Sequence, residues 1–283
     1  MHARSASPAR AIAREAWGDI RSFPLLWVLL AASSLPQVFL FYFLVPAAPA
    51  SLFLLLLLAG YATCFALHFL FWSIAVLRYV GRVSGKEVAT LGEAYRGMLA
   101  RSKTTLFTGF AWGAVSVMAY MAAQMVVSFA LSMLVAGGAS QGSLIALTFI
   151  HFYLSYLVAD LAMALLALAP QFICLGGTER VEESLRLSYR LARARYGDAL
   201  TLFIIPEIIA RTLFLGASFL FYYLPGPGLV FAVLLVSMSL LEGGRTAFIA
   251  AAFNRFYYRA MEEEKRKRRE KGKKQTGKQA RKK

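Results

Sequence analysis

Charged residues are scarce in this chain, and cysteines are scarcer still. Only 16% of the 283 residues are Asp, Glu, Lys or Arg, whereas 59% are hydrophobic. An average soluble domain is about 25% charged, so an ordinary soluble fold is excluded. The two cysteines, Cys64 and Cys174, lie inside apolar stretches, and no disulfide framework or cysteine metal site is expected. The composition predicts an integral membrane protein.

Sequence signatures of catalysis are also missing. The chain has no zinc-hydrolase histidine spacing, no Gly-x-Ser-x-Gly elbow, no phosphate loop and no dinucleotide fingerprint. We therefore expect neither a metal nor a cofactor, and we expect a protein that is not an enzyme. A lipid-modifying enzyme is the third of the functional classes considered below.

Six apolar runs each reach the ~20 residues that a helix needs to cross a ~30 Å hydrocarbon core. They cover residues 23–45, 51–80, 104–135, 144–175, 199–224 and 228–256. The sequence therefore predicts an all-α, polytopic membrane bundle of six transmembrane helices arranged as three hairpins.

The charges between the runs predict the orientation of the bundle. Segments 45–51, 136–143 and 223–228 contain no charged residue, whereas nearly all Lys and Arg lie in the remaining segments. By the positive-inside rule, both termini are cytoplasmic and the uncharged loops face outward. We expect a multi-pass protein of a prokaryotic cytoplasmic (inner) membrane.

Three domains follow from this pattern. A basic amphipathic N-terminus covers residues 1–22, the six-helix transmembrane domain covers 23–260, and a basic cytoplasmic tail covers 261–283. The tail carries twelve Lys or Arg against four Glu, which is half of the net charge of +16. Because it has almost no apolar residues, we expect it to be disordered beyond Glu270.

An internal repeat is visible in the cytoplasmic segments. Segments 7–23, 90–107 and 179–203 precede the first, third and fifth runs, and each has the pattern of a basic amphipathic helix. In the third segment Val181, Leu185, Ser188, Leu191 and Ala192 share one side of the helix. The repeating unit is predicted to be an interfacial helix followed by a transmembrane hairpin, occurring three times.

The third segment also carries a resemblance to known families. Its stretch VEESLRLSYRLARARYGDALTLFII resembles the repeated element of the YciC-like and glycerophosphodiester-phosphodiesterase membrane-domain families. The resemblance implies a six-helix membrane fold over roughly residues 10 to 256. It implies no activity, because the phosphodiesterase chemistry of such proteins belongs to a separate soluble barrel.

Polar residues inside the apolar runs are the candidate functional site. A charge near a helix centre costs ~2.5 kcal/mol or more, so it should face the bundle interior with a partner. The candidates are Asp160, Glu207, Arg211, Glu242 and Arg245, with His68 and His151 as minor ones. The pairs Glu207/Arg211 and Glu242/Arg245 have spacings that allow local neutralisation. Pro206 and the pair Gly243–Gly244 predict kinked or unwound helices beside these charges.

Three interpretations of the intramembrane charges stay open. They form a structural ion-pair network that sets helix register, or a polar binding site or permeation path, or they lie on helices that are shifted so that the charges meet lipid headgroups. Asp160 has no cation within four residues, so it should pair with Arg211 or Arg245, reach water or carry a proton.

Membrane lipids are the expected partners. A Lys or Arg close to an anionic leaflet contributes up to ~1 kcal/mol, so the basic segments favour anionic headgroups on the cytoplasmic side. The expected contacts are Arg186, Arg190, Arg193, Arg195, Lys265, Arg266, Lys267, Arg268 and Arg269. Ribosome or RNA contact through the tail is an alternative, and a homo-oligomer is left open. The leading hypothesis is a non-enzymatic membrane scaffold or lipid-binding accessory, and the second is a transporter.

Overall fold

The fold is all-helical, as the sequence predicts. The computed structural model describes residues 8–40, 59–84, 89–135, 151, 153–161, 163–223 and 227–280, and among these residues there is no strand. The helices are α1 Pro8–Arg21, α2 Pro24–Phe39, α3 Tyr61–Ser84, α4 Leu91–Leu99, α5 Ser102–Val135, α6 Ala169–Cys174, α7 Val181–Ala194, α8 Tyr196–Tyr223 and α9 Pro227–Ala280. Residues 153–161 are also helical.

Three of the described helices are long and apolar enough to cross a membrane. These spans are Tyr61–Val80 in α3, Ser102–Phe129 in α5 and Ala232–Arg266 in α9. A fourth is counted if α1 and α2, which meet at 92°, are taken as one broken span. The uncharged segments 45–51 and 136–143 lie outside the described residues. The protein therefore has three to four candidate spans among the residues described.

Each predicted amphipathic segment is a helix that ends directly before a longer apolar one. Helix α1 leads into α2, α4 into α5 and α7 into α8. In α1 the spacing of Ala9, Ile12, Ala16 and Ile20 places them on one side, and all four are buried. In α7 the buried residues are Ser184, Ser188 and Ala192, so small side chains form its contact with the bundle. These helices thus bury one side against the protein.

The fourth apolar run is not one continuous helix in its described part. Residues 164–168 form a turn between the helical residues 153–161 and α6. Pro170 lies in the first turn of α6 and has no N–H to continue the preceding helix. The Ser188 hydroxyl on α7 accepts from the Leu168 N–H and donates to the Leu165 carbonyl, each at 3.1 Å. A contact with α7 therefore stabilises the turn, and no local sequence pattern predicts that contact.

The helix α9 packs closely against α2 through two glycines. A Cβ atom on Gly243 would lie 2.5 Å from the Ala31 nitrogen, and one on Gly244 would lie 2.8 Å from the Trp27 ring. The Trp27 indole N–H donates to the Leu240 carbonyl at 2.6 Å across the same contact. The expectation of unwound helices here was wrong, because α9 continues through both glycines and α8 continues through Pro206.

Helices α3 and α5 meet at a second pair of glycines. A Cβ on Gly109 would lie 2.7 Å from the Phe69 Cβ, and one on Gly113 would lie 3.1 Å from the Ala62 Cα. The rings of Phe69, Trp72 and Trp112 pack beside this contact, with the two tryptophan centroids 5.1 Å apart. Close approach of the backbones lets these large rings fill the core.

The basic tail departs from the expected disorder. Helix α9 continues to Ala280, ten residues beyond the point at which the sequence predicted that order would end. Residues 261–280 contain no proline and are rich in Glu, Lys, Arg and Gln, which favour helix. Arg266 and Glu270 also form an i,i+4 ion pair at 3.8 Å. Residues 281–283 lie outside the described part of the chain.

Candidate functional site

The five predicted intramembrane charges form one cluster. Glu207 and Arg211 lie one turn apart on α8, Glu242 and Arg245 lie on the adjacent part of α9, and Asp160 comes from the helical residues 153–161. The side chains of Glu207, Glu242 and Arg245 are each less than a tenth exposed. The contact between α8 and α9 brings Glu207 to Arg245, which is 38 positions later in the chain, and the helical residues 153–161 add Asp160.

Arg245 joins the two carboxylates of the cluster that lie on α8 and α9. Its guanidinium bonds Glu207 on α8 and Glu242 on its own helix, with the Nε to Glu242 Oε2 distance at 2.9 Å. A planar guanidinium presents its N–H groups in a fork that two carboxylates satisfy together. Arg245 therefore holds α8 and α9 at a fixed register.

Arg211 joins the same cluster to a third helical segment. Its Nη2 lies 3.5 Å from Asp160 Oδ1, and its Nε lies 3.6 Å from Glu207 Oε2. The guanidinium carbon also lies 4.5 Å from the centre of the Tyr156 ring, which is a cation–π contact. Asp160 thus has the interhelical partner that its sequence context required.

The cluster contains one more carboxylate than guanidinium. Asp160, Glu207 and Glu242 face Arg211 and Arg245, so a fully ionised cluster carries one excess negative charge. From the sequence, Glu207/Arg211 and Glu242/Arg245 could each pair within one helix, and Asp160 was expected to pair with Arg211 or Arg245, reach water or carry a proton. In the structure Asp160 belongs to the group, and Arg245 pairs across helices as well as along its own.

A small polar cavity lies beside the cluster. It has a volume of about 30 Å³, and Gln37, Tyr61 and Tyr156 line it together with Arg211, Glu242 and Arg245. The Gln37 amide donates to the Tyr61 hydroxyl at 3.1 Å, while its own buried oxygen has no donor among the described residues. A space of this size holds about one water molecule, and that water would satisfy the Gln37 oxygen.

The two histidines are hydrogen-bonded to hydroxyl groups. His68 is fully buried, with Nδ1 2.9 Å from the Ser33 hydroxyl and Nε2 3.1 Å from the Thr246 hydroxyl. His151 Nε2 lies 3.0 Å from the Ser128 hydroxyl on α5. Among the residues that the structure describes, no group of three or more His, Cys, Asp or Glu could hold a metal ion.

The expected lipid contacts divide into exposed and paired residues. Arg186, Arg190 and Arg193 are exposed on α7, and Lys265 and Arg266 are exposed on α9. Arg195 is instead bound to Glu263 of α9, so it connects the corner between α7 and α8 to the central helix. The side chains of Lys267, Arg268 and Arg269 lie outside what the structure describes.

Sequence analysis missed a second ionic network, in the C-terminal half of α9. The Arg255 Nε donates to Asp19 at 2.8 Å, and both Arg255 and Arg259 donate to Glu15, at 2.7 and 2.8 Å. A signal for it exists, because Asp19 lies three residues after Ala16 on the apolar side of α1. A buried carboxylate there requires a cation from another helix.

Exposed aromatic residues recur on the three amphipathic helices. Trp17 on α1, Tyr95 on α4 and Tyr189 on α7 are each at least 40% exposed. An arginine accompanies each: Arg21 lies 5.4 Å from the Trp17 ring, Arg193 lies 5.9 Å from the Tyr189 ring, and Arg96 is the exposed neighbour of Tyr95. Aromatic rings and arginines of this kind are enriched at the headgroup level of membranes.

Comparisons with protein-family models, with curated proteins and with solved structures found no match to this chain. The resemblance to the YciC-like and phosphodiesterase membrane-domain families therefore stays a prediction.

Proposed function

We propose that this protein is a non-enzymatic scaffold or lipid-binding accessory of a prokaryotic cytoplasmic membrane, whose cytoplasmic face binds anionic lipid headgroups. It crosses the membrane six times in three hairpins, each preceded by an amphipathic helix, and both termini are cytoplasmic. The observation that carries the proposal is the exposed aromatic residue with its arginine on α1, α4 and α7.

The arrangement of these three helices supports a surface role. Each buries one side against the bundle, as Ile12 and Ile20 do on α1, so its position does not depend on insertion into lipid. The opposite side is left to present an aromatic ring and cations outward. Anionic phosphates attract the cations, and the rings occupy the boundary between headgroups and acyl chains.

The test is native mass spectrometry of the full chain in mild detergent with equal amounts of phosphatidylglycerol and phosphatidylcholine. We expect phosphatidylglycerol to be retained preferentially. Substituting Arg21, Arg96 and Arg193 together by Gln should lower that preference at least about fivefold, since each cation contributes up to ~1 kcal/mol. The matched control replaces Met118, Met125 and Met133 by Ala, because these exposed residues of α5 lie among apolar neighbours. An unchanged preference in the arginine variant would contradict the proposal.

Transport through the charge cluster is the second candidate, and the polar cavity beside Arg211, Glu242 and Arg245 is the observation in its favour. Its volume of about 30 Å³ suits one water molecule rather than a solute. The mutual pairing of the five charges therefore favours a structural role. The double variant Arg211→Gln with Arg245→Gln separates the two. Loss of a bound species of fixed mass, at normal folded yield, would support transport, whereas lower yield with no change in bound species would support the structural role.

A further inference from the structure

A second cavity, away from the charge cluster, lies between α4, α5 and the segment that joins α6 to α7. Its volume is about 460 Å³, and Gly97, Arg101, Thr104, Gly177, Thr178 and Glu179 line it. Cavities that bind small ligands range from about 300 to 1,000 Å³, so this one is large enough for a polar headgroup. Glu179 is exposed and Arg101 is half-buried, so the cavity is accessible from one side.

The walls of this cavity are tied together by long-range hydrogen bonds. The Arg101 Nη1 donates to the Cys174 carbonyl at 2.8 Å, and the Thr104 hydroxyl donates to the Glu179 carbonyl at 2.8 Å. Gly177 adopts a φ of +69°, a conformation that favours glycine, and the next N–H, of Thr178, donates to the Phe172 carbonyl at 3.2 Å. The shape of the cavity is therefore preorganised.

One positively charged residue, Arg101, and one negatively charged residue, Glu179, line the cavity. Arg101 has five N–H donors, of which the Cys174 carbonyl accepts one, whereas the Glu179 carboxylate only accepts. Within the described part of the chain, no ion pair links the two side chains. The first turn of α5 begins at Ser102, next to Arg101, and adds the positive end of a long helix. The two charges thus stay available to a ligand that carries both signs.

We propose that this cavity binds a zwitterionic group that combines a phosphate with a primary amine, as in phosphoethanolamine. Arg101 and the Thr178 hydroxyl bind the phosphate, and Glu179 binds the ammonium group. A purely anionic headgroup would satisfy Arg101 but would be repelled by Glu179. The lipid form of this ligand rests on the proposed function, because the orientation proposed there puts the start of α5 at the cytoplasmic headgroup level.

The experiment measures binding to the full chain in mild detergent by native mass spectrometry, with phosphatidylethanolamine, phosphatidylglycerol or free phosphoethanolamine added. We expect one phosphatidylethanolamine to be retained per chain. Arg101→Gln should lower this occupancy about tenfold through loss of a charged hydrogen-bond donor. Glu179→Gln should lower it too, and should raise occupancy by phosphatidylglycerol at the same time. Arg14→Gln and Glu182→Gln are the matched controls, since both residues are exposed and lie outside the cavity.

The outcomes show whether the ligand is a lipid or a soluble molecule, and whether the proposal holds. Binding of free phosphoethanolamine that depends on Arg101 and Glu179 supports the same chemistry with a soluble ligand. The proposal is overturned if both variants retain phosphatidylethanolamine as the wild type does. It is also overturned if neither phosphatidylethanolamine nor free phosphoethanolamine binds to the wild type. Should Arg101→Gln fail to fold, the reversal of headgroup preference in Glu179→Gln decides, because that side chain is exposed.

This result is separable from the test of the cytoplasmic face. Substituting Arg21, Arg96 and Arg193 should leave the single phosphatidylethanolamine in place while phosphatidylglycerol is lost. Phosphatidylethanolamine retained without any preference for phosphatidylglycerol would uphold the cavity and overturn the surface proposal. The reverse result would uphold the surface proposal alone.

Discussion

Arg245 pairs with carboxylates on two different helices of the charge cluster. It bonds Glu207 and Glu242, both almost completely buried, and so compensates charges on two helices. A buried ion pair adds little net stability compared with an apolar core, but the removal of one partner leaves the other charge without compensation. The stability of the bundle is therefore expected to be far more sensitive to loss of this arginine than to loss of a surface arginine.

Replacement of Arg245 by Gln should destabilise the folded protein by about 3–5 kcal/mol, since two carboxylates then stay buried without their cation. The measurement is denaturant or thermal unfolding in detergent, with Arg193→Gln as the control on the exposed side of α7. A triple variant with Glu207→Gln and Glu242→Gln added should recover part of the loss. Equal stability of Arg245→Gln and the control would contradict a structural role for the cluster.

Glu93 provides a pH-dependent contact at the start of α4. The Thr90 N–H donates to the Glu93 carboxylate at 2.6 Å, the Thr90 hydroxyl donates to it at 2.9 Å, and the Glu93 N–H donates back to the Thr90 hydroxyl at 3.2 Å. These bonds, foremost that from the Thr90 backbone, lower the pKa of Glu93 below its ordinary value of 4.5. This reciprocal arrangement is a capping box.

The lowered pKa of Glu93 predicts how the stabilising contribution of the capping box changes with pH. The capping contribution is fully present above the ordinary carboxylate pKa and is lost as the pH falls through the lowered one. A carboxyl carbon titration followed by NMR should place the Glu93 midpoint below 4.5. Thr90→Val should raise that midpoint towards its ordinary value, because the hydroxyl that donates to the carboxylate is lost. A midpoint that Thr90→Val does not move would contradict the capping box.

At the scale of elements, α9 is the helix against which α1, α2 and α8 pack. Helix α2 lies on its Gly243 and Gly244 side, α8 lies against its Glu242 and Arg245 side, and α1 is bound to Arg255. The same short stretch of α9 therefore serves both the closest backbone contact and the charge cluster. A change in the register of α2 against α9 would displace the cluster as well.

Gly243→Ala tests this coupling. The added Cβ would lie 2.5 Å from the Ala31 nitrogen, so α2 must move, and we expect a loss of about 1–3 kcal/mol. Gly216→Ala on α8 is the control, because no atom lies within 4 Å of its added Cβ. That substitution should be neutral or stabilise by up to about 1 kcal/mol, since alanine favours helix. Both are measured by unfolding in detergent, and equal effects would refute the close α2–α9 contact.

At the scale of the whole molecule, the basic residues are concentrated in the three amphipathic helices and in the C-terminal part of α9. The Arg255–Asp19 and Arg195–Glu263 pairs bind α1 and the α7–α8 corner to α9. These contacts place the three segments close together, and the positive-inside rule predicts that such basic segments are cytoplasmic.

The six-crossing orientation predicts which positions a membrane-impermeant thiol reagent labels from outside the cell. Single cysteines introduced at Ala48, Ser140 and Gly226, in a background with Cys64 and Cys174 replaced by Ala, should all be labelled. A cysteine at Ser7 or at Thr276 should be labelled only after the membrane is permeabilised. Labelling of Ser7 and Ala48 from the same side would exclude the first crossing, and labelling of Gly226 and Thr276 from the same side would exclude the sixth.

Part of the candidate site was accessible from sequence because burial of charge in a membrane demands partners. That rule selected Asp160, Glu207, Arg211, Glu242 and Arg245, and these five do meet. It did not indicate which arginine bonds which carboxylate, because helical spacing describes neighbours on one helix only. Gln37, Tyr61 and Tyr156 beside the cluster were missed because neutral polar residues in apolar runs carry no comparable signal.

The amino-acid sequence by itself determined the helical class and the segments that become amphipathic helices, because periodicity and the scarcity of charge act locally along the chain. Only the tertiary structure decided that Gly109 and Gly113 meet α3 of the same chain, that Gly243 admits α2 instead of breaking α9, and that Ser188 stabilises the turn at residues 164–168. These outcomes depend on which helices approach each other in space, and contacts between distant segments leave no periodic pattern in the sequence.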